Sequence, residues 1–135
     1  MSEVREQHDL SIPLVSGYAT LRRAAGILAA YGVNLDAVCV AGGSADCHLL
    51  VRDGDQARAL LERHGITVAA VRRVHALRVP NRPGTLARVL ELLVPVEDSL
   101  AFIYQATDRG LVLGANDPEA LLHALAPMLR ESDAA

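Results

Sequence analysis

The sequence predicts an α+β fold of two tandem ferredoxin-like βαββαβ units, the second of which lacks its final strand. Segments with helical periodicity alternate with short strand-like runs in the order strand, helix, strand, strand, helix, strand, and the same order then begins again. In addition, Ile12–Ala41 aligns with Leu77–Ala106 without a gap. We expect repeat one to span residues 8–74 and repeat two to span residues 75–130.

Four segments carry apolar residues at helical spacing. The first two end at Gly32 and Gly65, which are typical helix stops. The third begins at Pro83-Gly84, and the fourth begins with Asp117 as N-cap and Pro118 in the first turn. The inward faces are predicted to carry Leu21, Ala24, Ala25 and Leu28; Ala57, Leu60 and Leu61; Leu86, Val89, Leu90 and Leu93; and Leu121, Leu122, Leu125 and Leu129.

Six runs between these helices have strand character, and hairpin turns are predicted at Ala41–Ser44 and Thr107–Gly110. One long run without a turn residue is expected to serve as the last strand of repeat one and the first strand of repeat two. After Leu129 the chain is too short and polar for a final strand. The predicted strands are Leu10–Val15, Asn34–Ala41, Cys47–Arg52, Ile66–Val79, Ser99–Ala106 and Gly110–Ala115.

The composition is that of a globular protein with an aliphatic core, since 51% of the 135 residues are hydrophobic and only 3% are aromatic. The net charge is −3, and the 13 basic residues, all arginine, are too scattered to form a nucleic-acid-binding face. No apolar run approaches the roughly 20 residues that span a bilayer, and the charged N-terminus does not resemble a signal peptide. We expect a cytoplasmic protein that contacts neither nucleic acid nor membrane.

The segment with the most functional information is Arg78–Leu86, where a strand end is followed by a tight turn and a helix start. Gly84 has no Cβ, so a ligand can approach the backbone there. The free N–H groups and the dipole of the following helix favour a carboxylate. Asn81 offers a carbonyl oxygen to an ammonium group and an amide to a carboxylate. The loop is a candidate anion site; the alternative is a turn that only shapes the fold.

The motif Asn81-Arg-Pro-Gly-Thr-Leu86 at a strand–helix junction resembles the ACT domain, an amino-acid-sensing module found in phosphoglycerate dehydrogenases and aspartate kinases. Repeat one resembles the family through Leu28-Ala-Ala-Tyr-Gly-Val-Asn-Leu35, the end of a helix and the start of the second strand. The resemblance covers roughly residues 8 to 129. The chain thus resembles a free-standing tandem ACT protein with no catalytic domain attached.

In that family, ligands lie between two modules, where the glycine loop of one faces the second strand of the other. Repeat one departs from the loop pattern at Ser16–Ala19, and repeat two departs from the strand pattern at Glu97–Leu100. The resemblance therefore implies one complete site, built from the loop of repeat two and the strand of repeat one. Its implied ligand-binding residues are Asn81, Arg82, Pro83, Gly84, Thr85, Leu86, Asn34 and Leu35.

The remaining candidate side chains do not form a recognisable catalytic or metal pattern. Cys39 and Cys47 flank the first predicted hairpin as cross-strand neighbours with His48 adjacent, but their spacing fits no zinc site, and we interpret them as buried or half-buried thiols. The five histidines show no metal-binding spacing, and the sequence has no nucleophile elbow, phosphate loop or dinucleotide fingerprint. We expect no cofactor, no metal and no catalytic residue.

The leading hypothesis is a non-catalytic regulatory sensor that binds an amino acid or similar small carboxylate and signals to a regulated enzyme partner. The alternatives are a structural or interaction protein whose ligand sites have decayed and an unrecognised enzyme on the same scaffold. Several strands carry apolar residues on both faces; Leu49 and Leu50, for example, are neighbours on one strand and point to opposite faces. This pattern is typical of a sheet that is covered on both sides. We therefore expect a homodimer. The alternative is a monomer in which the two repeats join their sheets edge to edge.

Overall fold

The computed structural model of the protein describes residues 4–42 and 45–134, with side chains described as far as Leu129. The chain forms two compact units: an N-terminal unit of Gln7–Arg73, and a C-terminal unit of Val74–Ala135 together with Met1–Glu6. A 3-10 helix covers Val94–Ser99. The strands are β1 (Val4–Pro13), β2 (Ala37–Cys39), β3 (Asp46–Val51), β4 (Ala70–Arg78), β5 (Leu100–Gln105) and β6 (Gly110–Ala115), and the α-helices are α1 (Tyr18–Ala30), α2 (Gly54–Arg63), α3 (Thr85–Leu92) and α4 (Pro118–Ala134).

The N-terminal unit has the strand order β2-β3-β1-β4. Strand β3 is antiparallel to both β1 and β2, with Leu10 opposite Leu49 and Cys39 opposite His48. This is the order expected of a ferredoxin-like βαββαβ unit. Helices α1 and α2 cover one sheet face, because alternate strand residues and one face of each helix form a single apolar cluster. It contains Leu10, Ile12, Cys47, Leu49 and Val51 with Ala24, Leu28, Ala57, Leu60 and Leu61.

The C-terminal unit has the strand order β1-β4-β6-β5, and the first residues of β1 take the position that a final strand would occupy. Val4, at the start of β1, packs against the apolar cluster of this unit. No strand follows α4 within the described residues, which end at residue 134. The cluster contains Leu77, Val79, Leu111, Leu113 and Ala115 with Val89, Leu93, Leu121, Leu125 and Met128.

The α+β fold class is confirmed, and the helix signals predicted the helix positions closely. The inward face predicted for α3 is wrong at Leu86 and Leu90, which are exposed. Asp53 and Asp117 are the residues that precede α2 and α4, and their side chains accept backbone N–H bonds from Gln56 at 3.0 Å and from Ala120 at 3.1 Å. The turn Thr107–Gly110 joins β5 to β6 as predicted. The other predicted turn, 41–44, falls partly on residues 43 and 44, outside the described residues. The repeat boundaries 8–74 and 75–130 stay a prediction.

Three strand predictions were wrong in extent. Strand β4 begins at Ala70 rather than at Ile66, and Ile66 and Val68 are buried in the apolar cluster of the N-terminal unit before the strand begins. Strand β1 begins at Val4 rather than at Leu10, because its first half is polar and gives no apolar signal. Strand β2 is limited to Ala37–Cys39. Before it, Asn34 Nδ2 donates to Asp36 Oδ1 at 2.8 Å, and the Asp36 N–H donates to the Leu50 carbonyl of β3 at 2.9 Å.

Apolar residues on the sheet face away from the helices are also buried in each unit. Leu50 in the N-terminal unit and Val112 in the C-terminal unit have no exposed surface, although neither belongs to a helix-facing cluster. Apolar residues on this face were the reason to expect a homodimer, but Leu50 and Val112 are already buried within the single chain. A homodimer would therefore need another apolar surface.

Candidate ligand-binding site

The loop between β4 and α3 is a compact turn fixed by backbone hydrogen bonds. The N–H of Val79 donates to the carbonyl of Arg109 at 3.1 Å, which ties the loop to the β5–β6 turn. Within the loop, Arg82 N–H donates to the Pro80 carbonyl at 3.2 Å, and Thr85 N–H donates to the Arg82 carbonyl at 3.3 Å. The loop thus has a defined shape without a ligand.

Gly84 is the N-cap of α3 and lies in the left-handed region, with φ 91° and ψ −13°. A Cβ built at this position would meet no atom within 4 Å. The structural requirement for glycine is therefore the backbone conformation, which L-residues adopt at a cost. The open space above the residue leaves room for a ligand but does not by itself identify one.

The first turn of α3 presents backbone donors without a side-chain cap. The first intrahelical bond is accepted by the Gly84 carbonyl, so helix geometry gives the N–H groups of Leu86 and Ala87 no acceptor within the helix. By contrast, α2 and α4 begin with the capping carboxylates of Asp53 and Asp117. The start of α3 is electropositive and open, whereas these two helix starts are already neutralised by a carboxylate.

A cavity of about 570 Å³ opens at this loop, entirely among residues of the C-terminal unit. Its walls come from the loop, the first turn of α3, the end of β5 and the β5–β6 turn. The volume falls within the range of roughly 300–1,000 Å³ that is typical of small-molecule sites. The lining residues are Val79, Pro80, Asn81, Arg82, Thr85, Leu86, Ile103, Tyr104, Gln105, Ala106, Arg109, Gly110 and Leu111.

Four of the predicted site residues line this cavity together: Asn81, Arg82, Thr85 and Leu86. Pro83 and Gly84 belong to the same loop and are exposed.

Asn34 and Leu35 lie in the N-terminal unit. Asn34 lines a separate polar cavity of about 310 Å³, and the half-buried Leu35 packs against the apolar cluster of that unit. Asp36 accepts from Asn34 Nδ2 at 2.8 Å and from Gln7 Nε2 at 2.6 Å. One N–H of the Asn34 amide is thus used by Asp36, and its carbonyl oxygen can accept a hydrogen bond from a ligand donor.

The corresponding loop of repeat one is held by side chains of α1. Ser16 N–H donates to the hydroxyl of the buried Thr20 at 3.0 Å, and Arg23 Nη2 donates to the His64 carbonyl at 3.1 Å. The cavity beside this loop measures about 180 Å³, which is below the range typical of ligand sites. The two loops therefore differ in geometry as well as in sequence.

Sequence reasoning did not find Arg109 and Tyr104, which line the main cavity. Arg109 and its neighbour Asp108 are the two central residues of the β5–β6 turn, and both have positive φ, 60° and 56°. Such a turn ordinarily carries Asn-Gly or Asp-Gly. Arg109 at the second central position of this turn could have been singled out from the sequence. A residue that departs from the preference of its turn often has a functional reason.

The cysteine and histidine candidates form no metal site. Cys39 faces His48 across the strands, not Cys47 as expected from the hairpin, and both thiols are free. His48 Nδ1 lies 2.9 Å from the carboxylate of Asp9, which is 1% exposed. Burial, reinforced by the charge of Asp46, raises the pKa of the Cys47 thiol. Within residues 4–42 and 45–134, no group of three metal-binding side chains occurs.

None of the described helices combines the length and the apolar character needed to cross a membrane.

No protein-family model and no curated protein sequence matches the chain. Solved structures do match. Protein BT0572 from Bacteroides thetaiotaomicron is similar with a TM-score of 0.68 and 26% identity over 94% of this chain and 90% of that one. The regulatory subunit of aspartate kinase from Thermus thermophilus gives a TM-score of 0.62 and 19% identity over 93% and 95%. A putative C-terminal regulatory domain of aspartate kinase from Porphyromonas gingivalis gives 0.63 and 16% over 94% of both chains. The chain thus has the ACT-type fold of aspartate kinase regulatory subunits.

Proposed function

We propose that the protein is a non-catalytic regulatory module that binds an amino acid or a similar small carboxylate and transmits the binding to a partner enzyme. The observation that carries the proposal is the 570 Å³ cavity at the uncapped start of α3. A cavity of this size with backbone donors and a few polar side chains on one side fits a small carboxylate.

Structural neighbours support a regulatory rather than a catalytic function. Aspartokinase III of Escherichia coli, in a structure with lysine and aspartate, matches 93% of this chain but only 32% of its own, with a TM-score of 0.60 and 18% identity. The likeness lies in the fold, and the regulatory subunits named above consist almost entirely of that fold. By analogy we assign this chain a regulatory function.

In the proposed site, the loop residues Asn81–Leu86 would bind the ligand carboxylate. Asn34, which lines the separate polar cavity, and Leu35 are the strand residues that the ACT resemblance implies, and their part in binding stays a prediction. Asn34 would supply a carbonyl oxygen to the ligand ammonium group. We further propose a homodimer. Its physical reason is an exposed apolar stripe on α3 and the residues after it, where Leu86, Leu90 and Val94 are 53%, 43% and 57% exposed at helical spacing.

A thermal-shift screen against all amino acids and their biosynthetic precursors tests the ligand proposal. A ligand at about 100 times its Kd adds about 2.7 kcal/mol to the free energy of unfolding, so at least one compound should raise the melting temperature by several degrees. Asn81→Ala should abolish the shift and Asn34→Ala should weaken it. Asn116→Ala, outside the cavity lining, is the matched control and should retain the shift.

A second candidate function is that of an interaction protein whose ligand sites have decayed. The loop of repeat one, held by side chains of α1, and the exposed stripe of α3 favour it. The two candidates differ in the ligand screen, because an interaction protein shows no ligand-induced shift. Leu90→Asp tests the exposed stripe in both cases and should lower the mass in light scattering if the stripe forms the dimer interface. A stable mass near 14.4 kDa for the unmodified chain would contradict the homodimer.

A further inference from the structure

We infer that the main cavity selects ligands with two negative charges, such as an acidic amino acid or a dicarboxylate, and that Arg109 sets this preference. The inference rests on the proposed function, because it names the ligand class of the same site.

The charges around the cavity are of one sign. Arg82 lines it from the β4–α3 loop and Arg109 lines it from the β5–β6 turn. None of the described lining residues is acidic. Asp108 is the nearest acidic residue in sequence, and its carboxylate accepts from Arg78 Nη2 at 3.2 Å, so a third arginine offsets its charge. The walls therefore favour anions.

Arg109 is held at the cavity by the backbone around it. Its carbonyl accepts the Val79 N–H at 3.1 Å, and the turn closes with the Gly110 N–H donating to the Thr107 carbonyl at 3.2 Å. Both turn ends are therefore fixed, and Arg109 lines the cavity from the β5–β6 turn. The two arginines come from separate elements, which suits a ligand with a charge at each end.

The consequence for specificity follows from charge balance. One carboxylate of the ligand would be met by the start of α3 and Arg82, as proposed above. A neutral side chain would leave the Arg109 guanidinium without a counter-charge, and an ammonium side chain would face repulsion from it. A second carboxylate would instead accept hydrogen bonds from the planar guanidinium donors. The polar cavity at Asn34 differs, because Asp36, Asp53 and Arg52 give it mixed charge.

Calorimetric titration of the full chain with L-glutamate, L-glutamine, L-lysine and glutarate tests the inference. Glutamate and glutamine have the same shape and differ by one charge. We expect glutamate to bind at least about tenfold more tightly than glutamine, in line with hydrogen bonds to charged groups. Arg109→Gln should remove most of that ratio while leaving glutamine binding unchanged. Arg58→Gln, on the surface of α2, is the matched control and should leave the ratio as it is.

The outcomes separate the inference from the proposed function. If glutamine or lysine binds as tightly as glutamate, or if Arg109→Gln leaves the ratio unaltered, the charge preference is wrong while amino-acid binding stands. If glutarate binds and depends on Arg109 but no amino acid binds, the anion preference stands and the amino-acid function fails. If neither acid binds at millimolar concentration, the charge preference is overturned, and the proposed function fails as well if no compound in the thermal-shift screen binds.

Discussion

Replacing Gly84 with alanine separates the two reasons for which a glycine can occupy the start of α3. The sequence suggests close approach of a ligand, whereas the structure shows a left-handed backbone with φ 91° and free space where a Cβ would lie. With no steric contact within 4 Å, the cost of the new methyl group is conformational. We expect a loss of about 1–2 kcal/mol in the free energy of unfolding.

Gly26→Ala provides the matched control, because the same methyl group is added to a residue with helical rather than left-handed backbone conformation. Gly26 lies in the interior of α1, is exposed, and also has no atom within 4 Å of a built Cβ. In a helix interior, alanine is favoured over glycine by roughly 0.5–1 kcal/mol. The two substitutions should therefore shift stability in opposite directions.

Urea unfolding followed by circular dichroism measures both changes, with the denaturant slope compared between variants so that only stability is scored. If Gly84→Ala stabilises the protein as Gly26→Ala does, the left-handed start of α3 is refuted. The test also explains why Gly84→Val, the steric block that the sequence suggests, is a poor probe of binding: a β-branched residue with positive φ strains the fold whether or not a ligand binds.

The remaining predictions concern packing and ionisation. Val4→Asp should lower the free energy of unfolding by about 1–3 kcal/mol, because it places a carboxylate against an apolar cluster. Val15→Asp, at an 83% exposed position, should be close to neutral. Equal effects of the two substitutions in urea melts would contradict the packing of Val4. Gly54→Ala should cost about 1–3 kcal/mol by overpacking, since its Cβ would lie 2.7 Å from the Cβ of His8; an unchanged urea midpoint would show that the contact relaxes freely. Burial raises the pKa of Cys47, so the folded state holds this proton more tightly than the unfolded chain, and stability should decline above about pH 8.5. Cys47→Ala should flatten that decline, and an unaltered pH profile in the variant would assign the decline to another group.

Signals confined to a few neighbouring residues allowed the helices and one loop to be predicted from the sequence. Asp117 followed by a proline, and glycines after the apolar faces, encode helix ends locally. The β4–α3 loop is equally local, so the sequence places Asn81 and Thr85 at a helix start, and the structure has both lining one cavity. Whether they bind a ligand stays a prediction.

Features that depend on distant parts of the chain were not predictable in the same way. Arg109 enters the cavity wall only because the β5–β6 turn is tied to Val79, thirty positions earlier in the sequence. The polar residues Gln7 and Asp9 gave no strand signal, yet both are buried in β1, where Gln7 pairs with Asp36 and Asp9 with His48. Hydrophobic periodicity cannot detect a strand whose buried positions are polar and paired.

Repeat two has no final strand within the described residues, and the start of β1, from the other end of the chain, lies beside β4 in its place. The edge of β4 beside the start of β1 belongs to the C-terminal unit, and Val4 contributes to that unit's apolar cluster. A fragment that begins at Val74 would contain α3, α4 and the whole main cavity but would leave that edge of β4 without a strand and the cluster without Val4. Unpaired edges are open to association with other chains. The covalent order of the repeats therefore does not give the bounds of the compact units, since Val4, which precedes repeat one, packs in the unit formed by repeat two.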